Sequence, residues 1–285
     1  MIIGLAQYPV TFHHSWEEWA LHIARWVADG AAKGAQLLVF PEYGSMELVS
    51  LMDEAARGDL QRQVREMEHF REEFMATFEK LAQKHNVTIV APSFPVMENG
   101  KTYNRTWVFS GKGYEGYQDK WMMTRFETES WLIDAGRPEL AVFETAWCRF
   151  GIQICYDVEF PIGSALLCRR DVELILAPSC TETVRGATRV HVGARARALE
   201  NQCFVGVAQV IGDAPWSLAV DVNYGYAAVY STADLGLPED GIVAISQPQE
   251  PGWLVQALDF ELIKNVRNNG AVFNFKNNSL ISYKL

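Results

Sequence analysis

Three residues of unlike chemistry stand at comparable places, within or just beyond extended apolar segments. They are Glu42 in LLVFPEYGS, Lys120 in GYEGYQDKWMMTRFE and Cys155 in GIQICYDVEFP. A carboxylate at the mouth of a buried strand is partly desolvated, which raises its pKa and makes it a better proton acceptor near neutral pH. An ammonium flanked by Tyr114, Tyr117, Trp121, Met122 and Met123 can point inward. A thiol at a strand end is either an inert packing residue, as free cysteines commonly are, or a presented nucleophile. Together the three would offer a proton acceptor, an inward-pointing cation and a candidate nucleophile. Singly, each has a plain alternative: a turn glutamate, a solvated lysine, a core cysteine.

Other routes to an activated thiol or a metal-bound water find less support. The histidines are His13, His14, His22, His69, His85 and His191, and none has a motif context. His22, His69 and His85 fall on expected helices and read as surface or interface residues. No His/Cys/Asp cluster has ligand spacing and no Gly-rich phosphate loop is visible, so neither metal nor cofactor is expected. The five cysteines, Cys148, Cys155, Cys168, Cys180 and Cys203, are odd in number and contain no CxxC pair. They suggest neither a disulfide framework nor a zinc knuckle, and they favour a reducing, cytoplasmic home.

The chain must build elements that bring these positions together. Its 285 residues are 49% hydrophobic and 21% charged, ample for a core. The formal charge of −10 argues against nucleic acid or an anionic membrane as the main partner. The opening MIIGLAQYPV lacks a positive n-region, and no window reaches membrane-spanning length. Short runs rich in Val, Ile and aromatics predict strands at 2–7, 37–40, 87–93, 105–110, 150–155, 173–179, 203–210 and 253–260. The sequence S-W-E-E predicts a helix capped by Ser15, with Glu18 completing a capping box and Trp16, Ala20, Ile23, Val27 and Ala31 on one face. Further helices are expected over 61–85, after Pro161, at 188–200 and from Asp259 to about 268.

Strands follow one another without helices over 87–110, 203–231 and 241–260, so the pattern is not a plain βαβ alternation. It implies a mixed sheet, or two sheets packed face to face, with helices outside. The loops 213–224 and 231–241 read as surface excursions. With no linker or repeat, one domain over 1–285 is expected.

The combination is more specific than its members. Glu in F-P-E, Lys in an aromatic-flanked segment and Cys in G-I-Q-I-C-Y-D-x-x-F-P, in that order, closely resemble the nitrilase superfamily of carbon–nitrogen hydrolases. LAPS (176–179) and RARALENQCFVGVAQV (195–210) extend the resemblance over most of the chain. It implies a four-layer α-β-β-α sandwich of two mixed sheets flanked by helices. It also implies a Glu42-Lys120-Cys155 triad, with Glu127, ahead of Glu129, as a second site glutamate. The backbone N–H of Tyr156 would serve as an oxyanion donor. Thr181 is expected to line the pocket. A homodimer or larger assembly is the family expectation, and Arg195, Arg197 and Glu200 are expected to form structural ion pairs near such a helical contact.

C-Y-D after the nucleophile looks like the amidase, ω-amidase and carbamoylase branches, so a small amide or N-carbamoyl substrate is expected, cleaved through a thioester. Nitrile hydrolysis, acyl transfer to another acceptor, and a non-catalytic scaffold are the alternatives. Glu159 stands where several relatives carry a carboxylate-reading arginine, which points to a neutral or cationic substrate. Its plain alternative is a solvated or arginine-paired glutamate. Asp119, Trp121-Met122 and Ile162 also depart from the family pattern.

Overall fold

Strand β1 (Ile2–Pro9) changes partners along its length, and this change makes the two-layered sheet. A computed structural model describes residues 1–278 and 280. On one side β1 pairs in parallel with β2 (Leu37–Val39). On the other, Ile2–Gln7 pair antiparallel with the chain's last strand, while Gln7–Pro9 pair in parallel with Gln209–Ile211.

The first layer orders as β4 (Phe94–Glu98), β5 (Lys101–Ser110), β3 (Thr88–Val90), β2 and β1, with β6 (Gly113–Asp119) on β5. The second runs β7 (Val142–Glu144), β8 (Arg149–Ile152), β9 (Leu174–Ser179) and β10 (Phe204–Asp213). β11 (Val222–Asn223) and β12 (Ala228–Tyr230) pair with β10, β13 (Ile242–Ile245) pairs with β12, and β14 (Gly252–Ala257) returns to β1. Hydrogen bonding joins the layers through the ends of β1 and β10, giving a mixed sheet that curls onto itself.

Strand alternation then assigns the faces. Ile3 and Leu5 of β1, with Leu37 and Val39 of β2, share a core with Phe150, Ile152, Leu174, Leu176, Val205 and Val207 of the other layer. Ala6, Tyr8, Leu38 and Phe40 face outward onto α1 (Trp16–Ala32) and the aromatic Phe74 and Phe78. Those two aromatics come from α4 (Arg71–His85), which follows the short helices α2 (Glu54–Arg57) and α3 (Leu60–Glu66). The second layer carries α5 (Pro161–Cys168) and α6 (Val184–Asn201). α7 (Phe260–Asn269) and α8 (Asn274–Asn278) close the described chain. No helix among the described residues is long and apolar enough to cross a membrane.

Several local expectations shift. Ser15 does cap α1, accepting from Glu18 N at 3.2 Å, but the Glu18 carboxylate reaches back to His14 N at 2.8 Å rather than to the cap residue. The buried face of α1 is Trp19, Ile23, Val27 and Gly30, so it is rotated from the expected stripe. The expected helix over 61–85 is interrupted by a 3₁₀ turn at Met67–Phe70. The loop 213–224 is not wholly a surface excursion: Ala214 and Val220 are buried in the outer core, and Ser217 Oγ donates to Gln63 at 3.4 Å.

Candidate active site

The parallel strands all deliver their C-terminal ends to one end of the sandwich, the usual location for sites in such sheets. Phe40 N makes the last ladder bond of its strand, to Val90 O at 2.9 Å. Pro41 has no N–H to continue it, and the chain turns so that Glu42 lies over the strand ends. Tyr43 takes a left-handed φ of 54° and opens a 3₁₀ turn at Gly44–Leu51. Lys120 follows β6 directly, and Cys155 follows β8 after two residues.

These positions meet. Lys120 Nζ donates to Glu42 Oε1 at 2.8 Å and to Glu127 Oε2 at 2.6 Å. Asn104 Nδ2 donates to the same two carboxylates, at 2.9 and 3.2 Å. Glu42 Oε2 accepts the Cys180 N–H at 2.9 Å, and the Cys155 thiol donates to Cys180 O at 3.6 Å. Glu42 and Lys120 are each 1% exposed and Cys155 is 5% exposed, so the whole cluster is buried.

Cys155 sits at φ 49°, in the left-handed region. For a non-glycine residue that conformation costs about 1–2 kcal/mol and persists only where surroundings impose it. Asp157 supplies the constraint. Its carboxylate accepts Ile154 N at 3.1 Å, Trp121 N at 3.3 Å and Met122 N at 2.8 Å, tying the lysine segment to the cysteine turn. α6 can lie against this turn because a Cβ at Gly193 would stand 3.0 Å from Val158 O.

The electrostatics separate the two carboxyl groups. Burial pushes Glu42 up, and the opposing charge of Lys120 only partly offsets it, leaving Glu42 above the ordinary carboxylate range. Burial also acts on Glu127, but Lys120 and the Thr124 N–H and hydroxyl, at 3.0 and 2.9 Å, bring it below that range. Burial disfavours the Lys120 ammonium, yet Glu127 and Glu42 outweigh it and hold the lysine charged. Cys155 is pushed well up by burial and by Glu42, against the pull of Lys120, so the resting sulfur is a thiol. The arrangement can pass a proton from thiol to Glu42 while a fixed cation faces the developing oxyanion.

The other expected residues divide. Glu127 joins the cluster and also accepts from Tyr43 Oη at 2.9 Å, whereas Glu129 is exposed and pairs with Arg125 at 2.8 Å. Tyr156 follows the sulfur, its ring edge-on to Phe160. Glu159 pairs with Arg189 at 3.1 Å, so its charge is locally balanced. Thr181 Oγ1 donates to Tyr224 O at 2.7 Å and is an anchor for that segment. Asp119 ties down Arg105 at 2.6 Å, and the Trp121-Met122 pair is held through its backbone. Arg197 pairs with Glu200 at 3.0 Å, while Arg195 instead donates to Asp240 O. Sequence reasoning missed Asn104, Tyr43, the Cys180 backbone and the stapling role of Asp157. Of these only Asp157 carried a mark in the sequence, inside the C-Y-D triplet.

A curled mixed sheet with a Glu, a Lys and a Cys gathered at its strand ends is the architecture of the nitrilase superfamily. The carbon–nitrogen hydrolase from Helicobacter pylori G27 superimposes with a TM-score of 0.79 over 99% of this chain and 98% of that one, at 17% identity, a likeness of fold. A carbon–nitrogen hydrolase family profile matches residues 2–268, and the chain belongs to that family. It is 31% identical over 274 residues to the probable hydrolase YhcX of Bacillus subtilis (strain 168), covering 96% of this chain and 53% of that protein. The chain thus spans about half the length of that relative. It is also 25% identical over 219 residues to the omega-amidase NIT2 of Xenopus tropicalis, covering 72% of each.

Proposed function

We propose that this carbon–nitrogen hydrolase cleaves a small amide or N-carbamoyl compound through a thioester on Cys155. The carrying observation is one ammonium, Lys120, bridging two buried carboxylates whose pKa values are driven in opposite directions. The ionised pair Lys120–Glu127 is a fixed electrostatic element, and Glu42, with the raised value, is the proton carrier.

As Cys155 Sγ attacks the carbonyl carbon, its proton passes to Glu42. Lys120 Nζ and the Tyr156 N–H face the oxygen that becomes negative. Glu42 then protonates the nitrogen, the C–N bond breaks, and ammonia or an amine leaves. Water attacks the thioester, giving its proton to Glu42. The C–S bond breaks, the acid departs, and the proton returns to sulfur. Attack by an amine or alcohol instead of water would make the same intermediate an acyl donor.

The omega-amidase name of one relative and the C-Y-D triplet favour an amide over a nitrile. With Arg189 screening Glu159, preference for a neutral or amine-bearing amide over an acidic ω-amide is expected to be about tenfold. Five free cysteines favour a reducing compartment, and a homodimer or larger assembly is part of the same proposal.

Intact-mass measurement during turnover of amides, carbamoyl amino acids and nitriles tests this. An acyl-sized increment lost in Cys155→Ala, with acid released, is the expected result. An increment that persists in water but disappears on adding an amine would shift the reading to acyl transfer. Turnover unchanged in Cys155→Ala sinks it, and no adduct with any compound favours a scaffold.

A further inference from the structure

A second group of chemically capable side chains lies outside the strand-end site, on the outer face of the first layer. His13 precedes α1, His22 lies on α1, and Glu47 lies in the 3₁₀ turn just after the Glu42 segment. One ligand atom from each falls within 4.8 Å of the others.

Their hydrogen bonding is incomplete in a specific way. Glu47 Oε1 accepts from Tyr8 Oη at 2.5 Å and Trp19 Nε1 at 2.7 Å, which aim and anchor the carboxylate. Glu47 Oε2 accepts only weakly from Thr11 N, at 3.3 Å, and stands 3.6 Å from His13 Nε2, beyond hydrogen-bond range. His13 Nε2 and His22 Nε2 are buried and have no hydrogen-bond partner. His13 is 2% exposed, so an unpaired ring nitrogen there leaves a real deficit. The two imidazoles stand 5.0 Å apart, centre to centre, and His22 as a whole is half-buried although its Nε2 is not exposed.

We propose that His13, His22 and Glu47 form a binding site for a transition-metal dication of the zinc class. Two imidazole nitrogens and one carboxylate oxygen form a recurrent ligand set for such ions, with a water completing four-coordination. Tetrahedral bonds of about 2.0–2.2 Å require donors about 3.4 Å apart. The candidate donor atoms lie within 4.8 Å of one another, with His13 Nε2 already 3.6 Å from Glu47 Oε2, so the site calls for the rings to close on Glu47. Tyr8 and Trp19 already donate to the opposite carboxylate oxygen and hold it in orientation. The ion would satisfy two orphaned ring nitrogens at once and give Glu47 Oε2 a stronger partner than Thr11 N. It would tie the start of α1 to the turn that carries Tyr43, so its role is structural clamping beside the active site.

The test uses the full chain as Cys155→Ala, which removes the strand-end thiol and leaves the other four cysteines to be read by their thiolate charge-transfer bands, stripped with EDTA and titrated with Co(II). Stoichiometric binding with the visible d–d absorption of a four-coordinate N/O site, free of thiolate charge transfer, is expected. His22→Ala, a change at a half-buried helix position, is expected to weaken binding by more than the roughly 10–100-fold that loss of an outer-shell partner costs. His13→Gln should do the same. Melting temperature, measured on the same samples, should rise with Zn(II) only where His22 is intact. No stoichiometric binding, or binding indifferent to His22, overturns the proposal.

Discussion

Two fully buried carboxylates leave the same stretch of chain, Glu42 and Glu47, and their partners differ in kind. Glu42 faces the ammonium of Lys120, an amide N–H and a thiol, with a second carboxylate sharing the cation. Glu47 faces the Tyr8 hydroxyl, the Trp19 indole and a histidine, on the other face of the strand layer. The first set gathers a carboxylate, an ammonium and a thiol, the kinds of group that could exchange protons under the proposed mechanism. The second is held by donors that keep their protons and is lined by aromatic rings. Burial alone therefore does not mark a working carboxylate; the kind of neighbour does.

The contrast can be broken by exchanging charge for an isostere at each place. Glu127→Gln removes half of the counter-charge on Lys120 and is expected to lower kcat/KM about 1,000-fold, roughly 4 kcal/mol. Steady-state kinetics with unchanged far-UV dichroism checks this, and a loss below tenfold would show that Glu127 merely packs. Glu47→Gln should do the reverse. It loses two charge-assisted bonds and about 2–3 kcal/mol of stability in urea unfolding, while kcat stays within about twofold. A large kcat loss in a folded Glu47→Gln protein would erase the distinction.

A third buried cluster, uncharged at neutral pH, provides the baseline. His191 sits between Tyr230 Oη and Gln209 Oε1, both at 2.9 Å, and burial lowers its pKa to about 4. Between the ordinary histidine value of about 6.5 and about 4, the unfolded chain binds a proton that the folded chain refuses. Stability is thus full above the upper value and falls as pH drops through this window, by up to about 3 kcal/mol. Urea unfolding at pH 7 and pH 5 should show the fall, and His191→Gln should flatten it.

The smallest effect sharpens the active-site side. The acid limb of kcat/KM should report Glu42 and lie above the usual carboxylate range, because its pKa is raised. Asn104→Ala removes a donor to the ionised form, worth about 1 kcal/mol, so the limb should move further toward alkaline pH. A limb that moves toward acid would place Asn104 on the protonated form instead.

The sequence carried the site further than it carried the frame around it. Glu42, Lys120 and Cys155 could be expected together because their motifs, in that order, resemble the nitrilase superfamily, and Glu127 was expected only through that resemblance; Lys120 does bridge the two glutamates. The strands were legible from their Val- and Ile-rich runs, and Ser15 from its cap. The tilt of α1 was not, since Trp16 and Trp19 both suit an apolar face and tertiary packing chose between them. Asn104 and the Cys180 N–H were invisible because a polar residue in a strand and a backbone amide leave no trace in spacing. His22 read as a surface residue, whereas its inward nitrogen is fixed by how α1 rests on Tyr8.

The bond from Cys180 N to Glu42 spans 138 positions of the chain. It has a consequence during synthesis. Until the second layer meets the first, the Glu42 carboxylate lacks the backbone partner that aims it. Under the proposed mechanism, a polypeptide whose two layers have not met cannot set its proton acceptor beside the sulfur, so hydrolysis would require the whole assembled sandwich.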